Sequence, residues 1–283
     1  MNIGVLSDLH VDLNNGQCSP SVEDALCSAI RKRKLELMII AGDVSNHYTS
    51  TLDTLTRLER DSGIPCLFVP GNHDLWQKEG EDTDSGTDSS DSMTDPDPYK
   101  ELLAYSHNLG NGPYLIGSDW AVVGDAGWYD YSFGDSSFSE EQFRERTKGE
   151  RVWKDKLYVR WGRSDCEVSD FFYDRLKAQL ESLKNRQVIV VTHTLAHREF
   201  TVPLPNEEWR YFNAFLGSSK YGELIKAYAD SVRYAVSGHV HYRKRMMIGR
   251  TECMNTCLGY VREWRCGADA AAEVEAALQT ITL

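Results

Sequence analysis

Over residues 1–75 short apolar runs alternate with amphipathic stretches. Ile3 to Leu6 and Leu35 to Ala41 are unbroken apolar runs, and Cys66 to Val69 is a third. Runs of this length without polar alternation predict strands covered on both faces. Between them, Ser21 to Lys34 and Thr51 to Arg60 place apolar residues at helical spacing. The first of these carries acids early and bases late, as a helix dipole favours. Strand, helix, strand, helix, strand implies parallel crossovers and a layered α/β fold.

The later chain resumes the same grammar after a break. Residues 77–98 are polar and rich in Ser, Asp and Gly, and they predict a flexible acidic insert. Residues 119–124 predict a strand. Residues 125–168 are aromatic and charged without a clear period, and are read as a small irregular cap. A helix follows over Asp170 to Lys184, with Phe172, Leu176, Leu180 and Leu183 as its core stripe beside Phe171. Val188 to Val191 predicts a buried strand and Tyr221 to Ala229 a helix. Tyr234 to Val236, Arg245 to Ile248 and Cys253 to Leu258 complete the set. No repeat and no linker divides the chain, so residues 1–283 are expected to form a single domain.

The chemistry-bearing residues stand where the predicted strands end. Asp8-Leu9-His10 follows the first, Gly42-Asp43 the second and Gly71-Asn72-His73-Asp74 the third. His193 follows Val188–Val191, and Gly238-His239-Val240-His241 follows Tyr234–Val236. Ligands of open α/β sheets bind beyond the carboxyl ends of strands, so these blocks can converge. Asp, His and Asn donors suit two divalent ions of the Mn, Fe, Zn or Ni class. A lone D-x-H means nothing, but G-N-H followed by an acid arises by chance only about 0.003 times in such a chain.

The ordered set resembles the calcineurin-like metallophosphoesterase superfamily, from Asp8 to His241, and within it looks most like small bacterial phosphoesterases. The resemblance implies a four-layer αββα sandwich, two β-sheets flanked by helices. It implies that Asp8, His10 and His241 hold one metal, that Asn72, His193 and His239 hold the other, and that Asp43 bridges them. His73 would then act as general acid or transition-state stabiliser, with Asp43 and Asn72 also in the catalytic set. Many members carry Asp three residues after the bridging Asp. Here Asn46 stands there, which leaves Asn46 or Asp74 to orient His73.

The expected activity is hydrolysis of a small phosphodiester, nucleotide-like diesters among them, with a hydroxide bridging the metals as nucleophile. The alternatives are a phosphomonoesterase or nuclease of the same superfamily, or a non-catalytic scaffold. No ligand position is missing, which argues against the scaffold. Trp128 and Tyr129 are candidates to stack a base, and Arg198, with Arg160 and Arg163, to meet a phosphate. Asn46 and His47 are candidates to line the pocket. Cys253 and Cys257 lack the second pair that a thiolate site would need.

Composition and charge refine this picture. The 283 residues are 41% hydrophobic and 26% charged, with a net charge of −12. A broad nucleic-acid surface needs clustered Lys and Arg, so extended nucleic-acid binding is not expected. Eight acids lie between Glu79 and Asp97, and the rest of the chain carries only −4. No apolar run approaches the ~20 residues of a membrane span. The start of the chain does not read as a signal peptide. Seven scattered cysteines, an odd number, suit a reducing compartment, so a cytoplasmic location is expected.

Overall fold

The computed structural model describes residues 1–77, 97–204 and 207–283. Its strands are β1 (Asn2–Leu6), β2 (Leu37–Ile40), β3 (Cys66–Phe68), β4 (Tyr114–Ile116), β5 (Trp120–Asp125), β6 (Thr147–Lys148), β7 (Arg151–Val152), β8 (Gln187–Thr192), β9 (Val232–Ser237), β10 (Lys244–Ile248), β11 (Thr251–Asn255) and β12 (Gln279–Thr282). One sheet has the order β12-β1-β2-β3 and a second the order β10-β11-β9-β8-β5-β4. β1, β2 and β3 run parallel, as do β5, β8, β9 and β11. The edges β12, β4 and β10 are antiparallel.

Alternation along each strand divides the core into layers. Ile3, Val5, Leu37, Ile39, Leu67, Val122, Ile189, Val191, Val236 and Met254 form one buried cluster between the sheets. Leu6, Met38, Ile40 and Phe68, from the other face of the first sheet, join a cluster with Leu26, Ile30, Leu55 and Leu58. Those partners lie on helices Val22–Arg33 and Tyr48–Ser62. On the second sheet, Phe172, Leu176 and Leu180 of helix Asp165–Ser182 and Leu224 and Ile225 of helix Ser219–Ala227 cover the outer face. The arrangement is helix, sheet, sheet, helix, as expected.

The helix read over Asp170 to Lys184 begins earlier, at Asp165. Ser164 caps it, accepting from Glu167 N–H while the Glu167 carboxylate takes the Ser164 N–H at 2.9 Å. Residues 259–283 hold two elements that the pattern did not signal, helix Ala270–Ala277 and β12. β12 is half-exposed and borrows its register from β1. The cap segment 125–168 has little regular structure beyond helices Glu140–Arg144 and Asp155–Tyr158 and the short β6–β7 pair. It is nonetheless well buried at Trp128, Tyr129, Phe133 and Phe143. Most of the acidic insert, residues 78–96, lies outside the described residues. No described helix is long and apolar enough to cross a membrane.

Candidate metal centre

Because the central strands are parallel, their carboxyl ends bring the sequence blocks to one place. The turn after β1 carries Asp8 and His10, and the turn after β2 carries Asp43. Asn72 and His73 follow β3, His193 follows β8, and His239 and His241 follow β9. Asp8 N–H donates to Gly42 O at 2.9 Å and His10 N–H to Asp43 O at 3.1 Å. Gly238 N–H donates to His193 O at 2.9 Å. Asp8, His10, Asp43 and His239 all adopt positive φ, at 55°, 43°, 55° and 71°. Non-glycine residues seldom do so, and such strain gathers at functional sites.

Three groups of donor atoms lie within 4.8 Å of one another: Asp8, His10 and His241; His10, Asp43 and His73; Asp43, His193 and His239. Asp43 Oδ2 is central, 3.3 Å from His193 Nε2, 3.9 Å from His73 Nε2 and 4.0 Å from His10 Nε2. His10 Nε2 is 3.2 Å from His241 Nε2, and His193 Nε2 is 3.1 Å from both His239 Nδ1 and Asn72 Oδ1.

Hydrogen bonds on the far side of each ring fix which nitrogen faces inward. His193 Nδ1–H donates to Ala41 O at 2.8 Å, His239 Nε2–H to Phe215 O at 3.1 Å and His241 Nδ1–H to Glu263 Oε2 at 2.8 Å. Each of these three rings thereby turns its other nitrogen toward its neighbours. Ring nitrogens 3.1–3.2 Å apart beside two buried carboxylates form a compact N/O donor set of the kind divalent cations occupy. These residues fit a pair of divalent cations.

The electrostatics agree. Burial pushes the Asp43 carboxyl up, but the imidazoles of His193, His73 and His10 outweigh it and hold it well below the usual range. Burial lowers His193 and His241, yet Asp43 draws the first up to about 9, while Asp8 and Glu263 draw the second up to about 10. His239, buried and beside His193, falls to about 4. The carboxylates thus retain positive charge at the centre.

The structure resolves the choice of His73 partner. His73 Nδ1–H donates to Asn46 Oδ1 at 2.6 Å, leaving Nε2 toward Asp43. Asp74 instead stitches the turn after β2. Its carboxylate accepts from the N–H groups of Asp43, Val44, Ser45 and Gly71 and from Thr51 Oγ1. Asn46 therefore orients His73.

Further expectations are corrected. Trp128 and Tyr129 are 1% and 0% exposed and cannot stack a base. They are core residues, with Trp128 Nε1–H on Asp165 and Tyr129 O–H on Asp155. Arg198 is held by the carbonyls of Ser132 and Phe133, away from the centre. His47 caps helix Tyr48–Ser62, accepting from Thr49 N–H and stacking on Tyr48. Neither Arg160 nor Arg163 lines the cleft beside the centre, and Arg163 lies over the Phe171 ring.

That cleft holds about 830 Å³, with Asp43, Asn72, His73, His239 and His241 at its base. Trp76, Trp153, Trp209 and Tyr260 line its walls. Trp76 stacks on His73 at 3.7 Å, and the Tyr260 ring lies 4.5 Å from His10 and 4.6 Å from His241. Sequence reasoning missed these walls. Trp76 stands two residues beyond Asp74 and was within reach of the G-N-H-D block. Tyr260, Glu263 and Asp155 carry no motif.

The calcineurin-like phosphoesterase family model matches residues 1–243. Among solved structures, the chain is similar to a phosphopantetheinyl hydrolase from Mycobacterium tuberculosis, with 19% identity and a TM-score of 0.72, covering 99% of this chain and 95% of that one. It is also similar to a protein of Thermus thermophilus, with 16% identity, a TM-score of 0.53 and coverage of 99% and 98%. A third is a dimetal phosphatase from Danio rerio, with 13% identity, a TM-score of 0.50 and coverage of 90% and 86%. A comparison with curated proteins finds no match. The chain belongs to the calcineurin-like phosphoesterase family and is a metal-dependent phosphoester hydrolase.

Proposed function

We propose that this single-domain protein hydrolyses small phosphodiesters at a centre of two divalent cations drawn from Mn, Fe, Zn and Ni. Asp8, His10 and His241 hold one, and Asn72, His193 and His239 hold the other, with Asp43 shared. The observation that carries this reading is the position of Asp43 Oδ2 between His10 and His193, each within 4.0 Å. When bound, such cations acidify water and neutralise phosphoryl charge.

The chain's own residues supply the rest. His73, held by Asn46 through Nδ1, keeps Nε2 free to donate a proton to the leaving oxygen or to a phosphoryl oxygen. Asn72 turns its carbonyl oxygen inward. The aromatic walls exclude water from the attached group and give it an apolar surface. A cleft of about 830 Å³ exceeds what a bare phosphate fills, which leaves room for an organic substituent on the phosphate. The name of the similar phosphopantetheinyl hydrolase is consistent with a bulky substituent. All seven thiols are free, which supports a reducing, cytoplasmic setting.

The test is activity after reconstitution with each of the four metals on a panel of mono-, di- and cyclic phosphoesters. Faster turnover of diesters is expected. A preference for aryl monoesters with every metal overturns the diesterase reading.

A further inference from the structure

Asp155 belongs to none of the candidate ligand groups, yet it accepts hydrogen bonds from three residues that line the cleft, Asn72, Trp76 and Trp153. It opens helix Asp155–Tyr158, in the irregular segment between β7 and β8, and is fully buried. Oδ1 accepts from Asn72 Nδ2–H at 2.8 Å and Trp76 Nε1–H at 2.9 Å. Oδ2 accepts from Trp153 Nε1–H at 2.9 Å and Tyr129 O–H at 3.2 Å. All four partners are donors, and among the described residues no Lys or Arg pairs with this carboxylate. Only a group that accepts on both oxygens satisfies such a set.

Each bond constrains something that faces the centre. By taking the Asn72 amide N–H, Asp155 decides which end of that amide points to His193 Nε2. A flipped amide would present hydrogens where an oxygen donor is needed. By holding Trp76, it holds the ring stacked on His73 at 3.7 Å. By holding Trp153, it holds the ring that meets His239 edge-on at 5.8 Å and stacks on Phe215 at 5.4 Å. Both indoles line the cleft. One carboxylate therefore ties the reacting end of the pocket to the walls that receive the substituent.

We infer that Asp155 is a positioning and specificity-determining residue. It fixes the Asn72 amide in its ligating orientation and sets the two indole walls that select diesters with a bulky apolar or aromatic substituent. The inference rests on the reading of Asn72 as a metal ligand and of the cleft as the substrate site.

The test compares Asp155→Asn with Trp76→Phe and Trp153→Phe in the full chain. Asparagine has the same shape but one accepting oxygen, so its amide must confront one of the two donor pairs. Three readouts are taken: manganese affinity by competition with a chromophoric chelator, near-ultraviolet circular dichroism, and kcat/KM for bis(p-nitrophenyl) phosphate against methyl p-nitrophenyl phosphate. Asp155→Asn is expected to weaken manganese binding at least tenfold, in line with losses of about 10–100-fold when a ligand's supporting partner is removed. It is also expected to reduce the preference for the bulkier diester tenfold, chiefly through KM. Each Trp→Phe variant keeps a six-membered aromatic ring but loses the N–H and the five-membered ring that carries it. It should lose preference while retaining manganese affinity, and it carries the test if Asp155→Asn does not fold. Wild-type affinity and preference in Asp155→Asn, or unchanged preference in both Phe variants, overturn the inference. If the unaltered protein cleaves neither diester, the proposed function fails, and the manganese and dichroism readouts still decide the role of Asp155 at Asn72.

Discussion

Gly71→Ala adds a single methyl group at the point where two ligand-bearing turns touch. An ideal Cβ there falls 2.1 Å from Asp43 Oδ1, 2.4 Å from Asp43 N and 2.8 Å from Asp43 Cγ. Ordinary contact begins at 3.4 Å, so the carboxylate and its turn must retreat by about 1.3 Å. They have nowhere easy to go. Asp43 N–H is bonded to Asp74 Oδ2 at 2.8 Å, and Asp43 Oδ1 takes His73 N–H at 2.9 Å. Overpacking of this kind costs about 1–3 kcal/mol. For a chain of this size, melting then falls by roughly 2–4 °C per kcal/mol. The larger effect is on the centre, where a displacement of about 1 Å lowers turnover about 100-fold. Metal titration, thermal melting and kcat on an aryl diester measure all three. Gly16→Ala is the control, since nothing lies within 4 Å of its added Cβ. If Gly71→Ala keeps wild-type metal affinity and turnover, the shared role of Asp43 and the rigidity of its turn are both wrong.

Asn46→Asp places a carboxylate against His73 Nδ1, now 2.6 Å from the Asn46 oxygen. Burial holds His73 below its ordinary value. A negative partner favours the imidazolium, so the alkaline limb of the rate profile should move up by about one pH unit or more, and an unmoved limb contradicts His73 as the acid. Asp165→Ala removes the acceptor of Trp128 and Tyr131 and leaves the partly buried Arg146 guanidinium without its carboxylate. It should cost about 3–5 kcal/mol in denaturant unfolding, and a loss under about 1 kcal/mol would show that Arg146 finds another partner. Chelator treatment should abolish turnover and lower the melting temperature, since a bound ligand at about 100 times its Kd stabilises by about 2.7 kcal/mol. An unchanged melt counts against cations among these donors.

The fold and the convergence of the Asp and His donors were legible because they obey local rules. Apolar runs covered on both faces announce parallel strands, and glycine beside acid and histidine marks a strand end that holds chemistry. The elements that escaped depend on distant partners. β12 is ordered by β1, from the opposite end of the chain, and has no strong pattern of its own. Trp128 and Tyr129 read as candidates for a binding face because aromatic residues in an irregular stretch look exposed. Their polar tips are satisfied inside by Asp165 and Asp155, so both rings can be buried. The walls that do face the cleft come from four separate segments, around Trp76, Trp153, Trp209 and Tyr260, and no linear spacing encodes that meeting.

The left-handed backbone at Asp8, His10, Asp43 and His239 sets chemistry against conformation at four positions. A side chain in that region costs about 1–2 kcal/mol relative to its ordinary geometry, and glycine bears none of that strain. The chain therefore keeps residues that its own backbone would replace. Glycine at any of the four would relax the turn while erasing a donor, so with the cations stripped an inactive variant can outlast the parent on heating, while bound cations return the advantage to the parent. A selection for thermal survival without metal would drift toward an empty, well-folded shell, so a stabilising screen of this fold must supply the cations and score turnover alongside melting.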